Sequence, residues 1–345
     1  MPPAPHIIEG PYVHDILEQP AALARTVAGL QDDPALRQLA CRPWKRIILT
    51  GMGGSLHALY LLHLRLTNHG LPSLILETAE LLHYFDAVLD QQTLLVVVSQ
   101  SGRSAEIVHL LDAAAGRAPV IAITNTPEAP LATRAQAVLF THAGPEATVS
   151  CKTWVSTLPA LEWLGAIFAG ADLDQTRAIL HQASPAVASY LENWRSHTAE
   201  FGTVLEGIRQ FFVTGRGPSL APALTGGLIL KESTRSAAEG MSSAAFRHGP
   251  WETLGAHVFV IILEGDHKAR MLNRAMGADI REAGGFSALV SPDADIAALR
   301  IPAVDDAIRP ILEMLPIQML TLAIAARLGR EAGRFELATK VTDVE

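Results

Sequence analysis

The stretch Leu94-Leu-Val-Val-Val98, followed directly by Ser99-Gln-Ser-Gly-Arg-Ser104, decides the fold class of this chain. Five apolar residues in a row leave no polar face, so this strand is expected to be covered on both sides, as in a parallel sheet. An amphipathic helix is predicted directly after the loop, over 105–115. A strand, a short polar loop and a helix in that order indicate one βα unit of a parallel α/β sheet.

The same order of strand, loop and helix is predicted on both sides of this unit. Further strands are predicted at 46–50, 73–76, 120–123, 138–141, 211–214, 258–263 and 286–290. Helical patterns separate them, among them a long stretch over about 154–207, a helix running through about Ala238 and a last long helix over 306–328. Gly51-Met-Gly-Gly54 follows the first strand of one half, and Gly215-Arg-Gly217 follows the first strand of the other, which indicates two copies of one α/β unit.

The predicted fold class is therefore α/β, with two tandem doubly wound, flavodoxin-like parallel sheets preceded by a helical arm. The predicted domain limits are 1–45 for the arm, 46–190 for the first domain, 191–330 for the second and 331–345 for a C-terminal tail. A length of 345 residues fits two domains.

Composition excludes several classes of protein. Hydrophobic residues make up 49% and charged residues 18%, with a mean hydropathy of +0.24, so dominant disorder is excluded. The net charge of −8 disfavours a nucleic-acid partner. Two cysteines, Cys41 and Cys151, provide no disulfide framework.

The start lacks the pattern of a secretory signal, and the apolar stretch 311–328 is interrupted by polar residues and proline. We therefore expect a cytoplasmic protein without a membrane partner.

The loop Ser99-Gln-Ser-Gly-Arg-Ser104 is the strongest candidate for a binding site. It places three hydroxyls, a carboxamide and free amides at a predicted helix N-terminus, with no acidic residue among them, which suits a phosphate group. The structural alternative is ordinary N-capping of the helix by Ser101 or Ser104. Gly51-Met-Gly-Gly-Ser55 could likewise admit a ligand close to its backbone, or could be only a tight turn between strand and helix.

Other cofactor sites are not indicated. Gly51-Met-Gly-Gly-Ser-Leu56 lacks the third glycine of a dinucleotide fingerprint, and no Gly-Lys-Ser/Thr of a P-loop occurs. His248 and His257 do not have the i, i+4 spacing of a helical metal site. No cofactor and no metal are expected.

Five segments together resemble the double-SIS (sugar isomerase) domain family of phosphosugar-binding α/β proteins. They are the two loops above, Thr148-Val-Ser-Cys-Lys152, the series Lys231-Glu232, Ala238-Glu239, His248-Gly-Pro250, and the tail Arg334 to Thr342. Within the family the chain resembles the isomerase half of glutamine–fructose-6-phosphate transaminase and stand-alone aminosugar-phosphate deaminases and isomerases. No glutaminase sequence precedes residue 46, so glutamine-dependent delivery of ammonia is not expected.

The resemblance implies a role for each matching residue. Glu232 matches the general base that moves a proton between C1 and C2, His248 the ring-opening histidine, and Lys340 the tail lysine that meets the sugar carbonyl. It further implies a homodimer in which His248 reaches the neighbouring subunit's site. The residues implied to bind the phosphate are Ser55, Ser99, Gln100, Ser101 and Ser104, and those implied to lie at the sugar are Gly53, Gly54 and Ser150.

The chain departs from the family pattern at a few positions. Thr225 and Ile229 stand where the transaminase has a glutamate and a lysine, seven and three residues before the base. Ala245 replaces an acid before the histidine, and Lys340 lies one position late relative to the following Val-Thr, with Thr339 in the aligned place. Proton relay or substrate choice is therefore expected to differ.

The expected activity is that of an isomerase/deaminase that interconverts aldose and ketose phosphates, acts on an aminosugar 6-phosphate and needs no metal. A fructosamine-6-phosphate deglycase and a sugar-phosphate sensor without turnover are the alternatives. Each residue also has a structural interpretation: Glu232 and Lys340 as solvated charges, His248 as a loop cap, and Glu239 as a structural residue on the face of Glu232 if the helix continues.

Overall fold

This computed structural model describes residues 6–337 and 339–340. Residues 1–5, at the start of the predicted arm, and Ala338 and 341–345, in the predicted tail, lie outside the described part. The strands are β1 Arg46–Gly51, β2 Ser73–Glu77, β3 Thr93–Val98, β4 Val120–Thr124, β5 Ala137–Phe140, β6 Gln210–Gly215, β7 Ala237–Ser242, β8 Val258–Leu263 and β9 Phe286–Val290.

Helices occupy most of the remaining chain. They are α1 Pro11–Leu17, α2 Gln19–Gly29, α3 Pro34–Cys41, α4 Gly53–Asn68, α5 Thr78–Tyr84, α6 Ala105–Ala114, α7 Pro130–Arg134, α8 Lys152–Ala169, α9 Leu173–Leu180, α10 Ala183–Leu191, α11 Trp194–Val204, α12 Leu220–Thr234, α13 Ser243–Phe246, α14 Arg270–Glu282 and α15 Arg309–Arg327. Helices α1 to α3 confirm the helical character of the N-terminal arm. The predicted stretch 154–207 consists of four helices, α8 to α11.

A five-stranded unit comprises Ala21–Pro145, Lys152–His181 and residues 339–340. Its sheet is parallel throughout, in the order β2-β1-β3-β4-β5. Every residue of β3 is buried, as its unbroken apolar sequence predicts. Leu95 and Val97 of this strand pack in one cluster with Ile107 and Leu110 of α6, so the helix that follows the polar loop covers the sheet.

A four-stranded unit comprises residues 6–20, Glu146–Cys151 and 182–337. Its sheet is also parallel, in the order β7-β6-β8-β9. Phe212 and Val260 pack with Met276 and Ile280 of α14. The doubly wound α/β class is confirmed for both sheets.

The prediction that the helix continues through Ala238 is wrong. Helix α12 ends at Thr234, Arg235 has a left-handed φ of 59°, and β7 follows as an edge strand. Packing against α12 explains why so polar and glycine-containing a segment forms a strand. A Cβ on Gly240 would lie 2.1 Å from the carbonyl oxygen of Ala223, so only glycine permits this approach of strand and helix. Glu239 therefore lies on β7 and not on a helical face shared with Glu232.

Helix α15 is long and apolar enough, by length and composition, to cross a membrane. Its apolar stretch is fully buried inside the four-stranded unit. This confirms the prediction that residues 311–328 contain a buried core helix.

Candidate active site

The loop between β3 and α6 is built around a glycine in a left-handed conformation. Gly102 has a φ of +63°, and its amide donates a hydrogen bond of 3.1 Å to the hydroxyl of the buried Ser99. The hydroxyl of Ser101 accepts a longer bond of 3.4 Å from the amide of Arg103. These bonds turn the chain sharply between strand and helix.

The next βα loop holds this turn in place. The carbonyl oxygen of Gln100 accepts from the Asn125 amide at 3.1 Å and from the Thr124 hydroxyl at 3.3 Å. The carbonyl oxygen of Gly102 accepts from the Leu131 amide at 3.1 Å. The carbonyl groups of Gln100 and Gly102 are thus already hydrogen-bonded within the unit, whereas amides and hydroxyls of the loop are groups that a ligand can meet.

Ser104 is the N-cap residue of α6, yet its hydroxyl makes no capping hydrogen bond. N-capping by this hydroxyl, the structural alternative considered for the loop, is therefore not what the structure shows. A half-buried hydroxyl beside the positive end of a ten-residue helix can bind an anion.

Glu106 is an acidic neighbour that the sequence analysis did not weigh. It lies in the first turn of α6, is buried, and its Oε2 atom has no hydrogen-bond partner in the described part of the chain. The positive end of α6 stabilises this carboxylate as well. Its place in the first helical turn was the available sequence signal.

The glycine-rich loop after β1 lies at the same edge of the sheet. Strands β1 and β3 are paired in parallel, with Gly51 opposite Val98, so the loops that follow them meet at one edge. A Cβ on Gly51 would lie 2.8 Å from the Val98 carbonyl oxygen, which makes this glycine a structural requirement. Gly53 has a φ of +50°. The residues implied to bind phosphate are thus brought together in the five-stranded unit, with Gly53 and Gly54 beside them.

A residue distant in sequence fixes the glycine-rich loop. The indole nitrogen of Trp154 donates a hydrogen bond of 2.9 Å to the carbonyl oxygen of Gly54. Trp154 is buried in α8, within the same unit. Sequence pattern gave no signal for this contact.

Ser150 lies in the segment Glu146–Cys151, which belongs to the four-stranded unit. The Glu146 carboxylate accepts a hydrogen bond of 2.9 Å from the Cys151 amide, and the Asp15 carboxylate accepts one of 3.3 Å from the Ala147 amide. The two buried carboxylates thereby shape the backbone that carries Ser150. Ligand atoms of Asp15, Glu146 and Cys151 lie within 4.8 Å of one another, close enough to share a metal ion. The sequence analysis missed this cluster.

Glu232 lies near the end of α12 and is half-buried. The phenol of Tyr12, on α1, is fully buried, and burial raises its pKa. The nearby charges of Cys151 and Glu232 raise this pKa further, while a hydrogen bond from the Thr321 hydroxyl opposes the rise. Tyr12 is therefore a buried neighbour of the candidate base. The two departures on the same helix, Thr225 and Ile229, are both buried.

His248 is exposed, between α13 and a 3₁₀ turn at Pro250–Thr253. Its amide donates a hydrogen bond of 2.9 Å to the carbonyl oxygen of Ala245, and Gly249 follows with a φ of +127°. Lys340 is half-buried and belongs to the five-stranded unit. The residues implied to act in catalysis are thus divided between the two units, and their roles remain predictions.

Comparison with known proteins agrees with this architecture. A SIS domain model matches residues 41–167, which include both loops of the candidate phosphate site. The glutamine–fructose-6-phosphate aminotransferase (isomerizing) of Pyrococcus horikoshii is 31% identical over 98% of this chain, which spans only 59% of that relative.

Solved structures show the same fold. The C-terminal domain of glucosamine-fructose-6-phosphate aminotransferase from Francisella tularensis has a TM-score of 0.86 at 21% identity, covering 95% of this chain and 98% of that one. A glucosamine-6-phosphate deaminase from Thermotoga maritima has a TM-score of 0.79 at 18% identity, covering 97% of this chain and 100% of that one. The matched model shows that the chain contains a SIS domain over residues 41–167, and the solved structures show that the chain shares their two-sheet fold.

Proposed function

We propose that this chain is a phosphosugar isomerase that acts on an aminosugar 6-phosphate, moves a proton between C1 and C2, and releases ammonia or interconverts aldose and ketose. The observation that carries the proposal is the hydroxyl of Ser104. It stands at the N-terminus of α6 without a capping bond, in a loop where the carbonyl groups of Gln100 and Gly102 are already hydrogen-bonded. A phosphate ester is the ligand that such a site suits.

Three side chains supply the proposed chemistry. His248 transfers a proton to the ring oxygen and opens the sugar. Glu232 removes the proton from C2 of the open-chain aldose and returns it to C1, and in the reverse direction moves it from C1 to C2. Lys340 meets the open-chain carbonyl and polarises it. The proton moves through an ene-diol or, for an aminosugar, an enamine. Protonation of the enamine at C1 leaves an imine at C2, and water hydrolyses this imine to the ketose and ammonia, so the proposed mechanism needs no metal.

The exposure of His248 supports a homodimer in which this histidine completes the partner's site. A ring-opening histidine that faced solvent in the active protein would lack a substrate to act on. A cytoplasmic location, expected from the sequence, is part of the same proposal.

A sensor that binds sugar phosphates without turnover is the second candidate. The burial of Thr225 and Ile229 favours it, because these positions lie seven and three residues before Glu232, on its face of α12, and carry no charge. A fructosamine-6-phosphate deglycase would use the same residues on a glycated amino acid.

The test is a panel of C2-amino and C2-hydroxy hexose 6-phosphates, followed by NMR for ketose and by an assay for ammonia. Glu232→Gln is expected to lower kcat at least about 100-fold while phosphosugar binding is retained. Glu239→Gln, on the exposed edge strand β7, is the matched control and is expected to leave kcat unchanged. Wild-type rates in Glu232→Gln would refute the mechanism, and binding without any product would select the sensor.

A further inference from the structure

The two sheets carry the same glycine–serine turn after their first strands. Gly51-Met-Gly-Gly-Ser55 follows β1 and Gly215-Arg-Gly-Pro-Ser219 follows β6. The middle glycine is left-handed in both turns, with a φ of +50° at Gly53 and +54° at Gly217. A Cβ on the first glycine would lie 3.2 Å from the serine Cβ in one turn and 3.1 Å in the other.

The strand orders correspond as well. β2-β1-β3-β4 in one unit matches β7-β6-β8-β9 in the other, so the loops after β6 and β8 are the equivalents of those after β1 and β3. Each pair of loops lies at the carboxyl edge of its sheet, where parallel sheets bind ligands. The four-stranded unit thus contains the framework of an anion site.

A side chain of the unit itself occupies this framework. Glu313 Oε1, from α15, accepts a hydrogen bond of 3.0 Å from the Ser219 hydroxyl, in the loop after β6, and one of 3.3 Å from the Gly265 amide, in the loop after β8. Glu313 is fully buried, and its Oε2 atom has no hydrogen-bond partner in the described part of the chain. One carboxyl group therefore bridges the two loops that a ligand would bridge.

The carboxyl group accepts hydrogen bonds from the Ser219 hydroxyl and the Gly265 amide, the donors that a phosphate oxygen would use. In the five-stranded unit the equivalent serine, Ser55, is only half-buried, whereas Ser219 is fully buried beneath Glu313. Burying a carboxyl group costs free energy unless its oxygens are hydrogen-bonded. In Glu313 both hydrogen bonds go to Oε1, so the cost of burying Oε2 is not offset by a hydrogen bond.

A buried cation lies beside this position. Arg309 is one helical turn before Glu313 on α15 and is only 7% exposed. Its Nε donates a bond of 3.0 Å to Asp306, and its Nη1 has no hydrogen-bond partner among the described residues. A guanidinium with a spare donor is the group that most often binds phosphate and carboxylate.

We propose that the carboxyl edge of the four-stranded sheet is a closed oxyanion site, in which Glu313 takes the place of a ligand's phosphate or carboxylate group. Two consequences follow. The first rests on the proposed function: each chain binds a phosphorylated ligand only at the loops after β1 and β3. The second is independent of the proposed function: a chain without the Glu313 side chain gains a site for a small inorganic oxyanion.

The experiment counts inorganic phosphate bound per chain by isothermal titration and ³¹P NMR. Glu313→Ala is expected to bind one phosphate more than wild type. Glu313→Gln, which keeps the shape and the acceptor oxygen, is expected to bind the same number as wild type. Since the readout is the difference between variants, a failure of the first site would lower all counts equally and leave the difference intact.

A further variant separates the anion site from simple loosening of the core. Arg309→Gln combined with Glu313→Ala is expected to lose the additional phosphate, because the buried cation is gone. If Glu313→Ala does not fold, Glu313→Ser retains a hydroxyl for Ser219 and is measured in its place. A folded variant with no additional phosphate, or a wild-type chain that already fills this site, would overturn the proposal.

Discussion

The indole nitrogen of Trp154 and the carbonyl oxygen of Gly54 are joined by a hydrogen bond of 2.9 Å. Gly54 lies in the first turn of α4, between the left-handed Gly53 and the candidate ligand Ser55. The bond therefore connects a buried side chain of α8 to the backbone that presents the hydroxyl proposed to bind phosphate. Its removal should affect binding through the loop, and not through any contact with the ligand.

Trp154→Phe tests this positioning role. Loss of the bond is expected to cost about 1 kcal/mol of stability and to weaken phosphate binding about fivefold, measured by chemical unfolding and calorimetry. Trp163→Phe is the matched control, because Trp163 lies on the same helix and donates a 3.0 Å bond to the Gln31 carbonyl, away from the loop. Equal phosphate affinity in the two variants would show that Trp154 only stabilises the unit.

Ser104→Ala separates ligand binding from helix capping. The hydroxyl makes no capping bond, so stability is expected to change by less than about 0.5 kcal/mol. Loss of a hydrogen bond to a charged phosphate is expected to weaken binding by roughly 10- to 100-fold.

Asp33→Ala is the matched control for Ser104→Ala, because it removes a capping side chain that lies outside the candidate site. Asp33 caps α3 with a 2.7 Å bond from the Ala35 amide. This variant is expected to lose about 1 kcal/mol of stability with unchanged phosphate affinity. A stability loss in Ser104→Ala as large as that in Asp33→Ala, with unchanged binding, would assign Ser104 to capping after all.

Local sequence pattern was sufficient to predict the fold class and to single out the loop after β3 as the candidate phosphate site. The unbroken apolar strand β3 and the glycine and serine residues after it are adjacent in sequence, so their chemistry can be read without tertiary information. Strand β7 could not be predicted in this way. Its residues form a strand because Gly240 contacts the backbone of α12, and this contact is visible only once the helix and the strand have packed.

The roles of residues that act through tertiary contacts could likewise not be predicted from the sequence. Asp15 and Glu146 bond the backbone around Ser150, and Glu313 bridges two loops that are distant in the chain. None of these acids belongs to a local motif. Partners brought together by topology across many residues leave no periodicity to detect.

Gly102→Ala is expected to be more damaging than its backbone conformation alone explains. The left-handed φ of +63° costs about 1 kcal/mol for alanine, and the added Cβ would lie 2.8 Å from the Ala129 Cβ. Gly116→Ala is the control, because Gly116 has a φ of +68° with no atom within 4 Å of the added Cβ. The difference in unfolding free energy between the variants measures the clash. Phosphate affinity is expected to fall only in Gly102→Ala, and a loss in both would contradict a local effect.

Glu313 makes the stability of the chain depend on pH in a direction opposite to that of a salt-bridged acid. Burial raises its pKa to about 8 in the folded state, whereas an unfolded glutamate titrates near 4.5. The folded state thus holds a proton that the unfolded state releases, so the Glu313 contribution to stability falls as pH rises from about 5 to 8 and levels off above. In Glu313→Gln this fall in unfolding free energy between pH 5 and 8 is expected to disappear. The stability of the variant relative to wild type is therefore expected to increase with pH across that range, as measured by urea unfolding at each pH. Glu282→Gln, at an exposed carboxylate, is expected to leave the slope as in wild type. Parallel pH profiles for wild type and Glu313→Gln would show that Glu313 is ionised in the fold throughout.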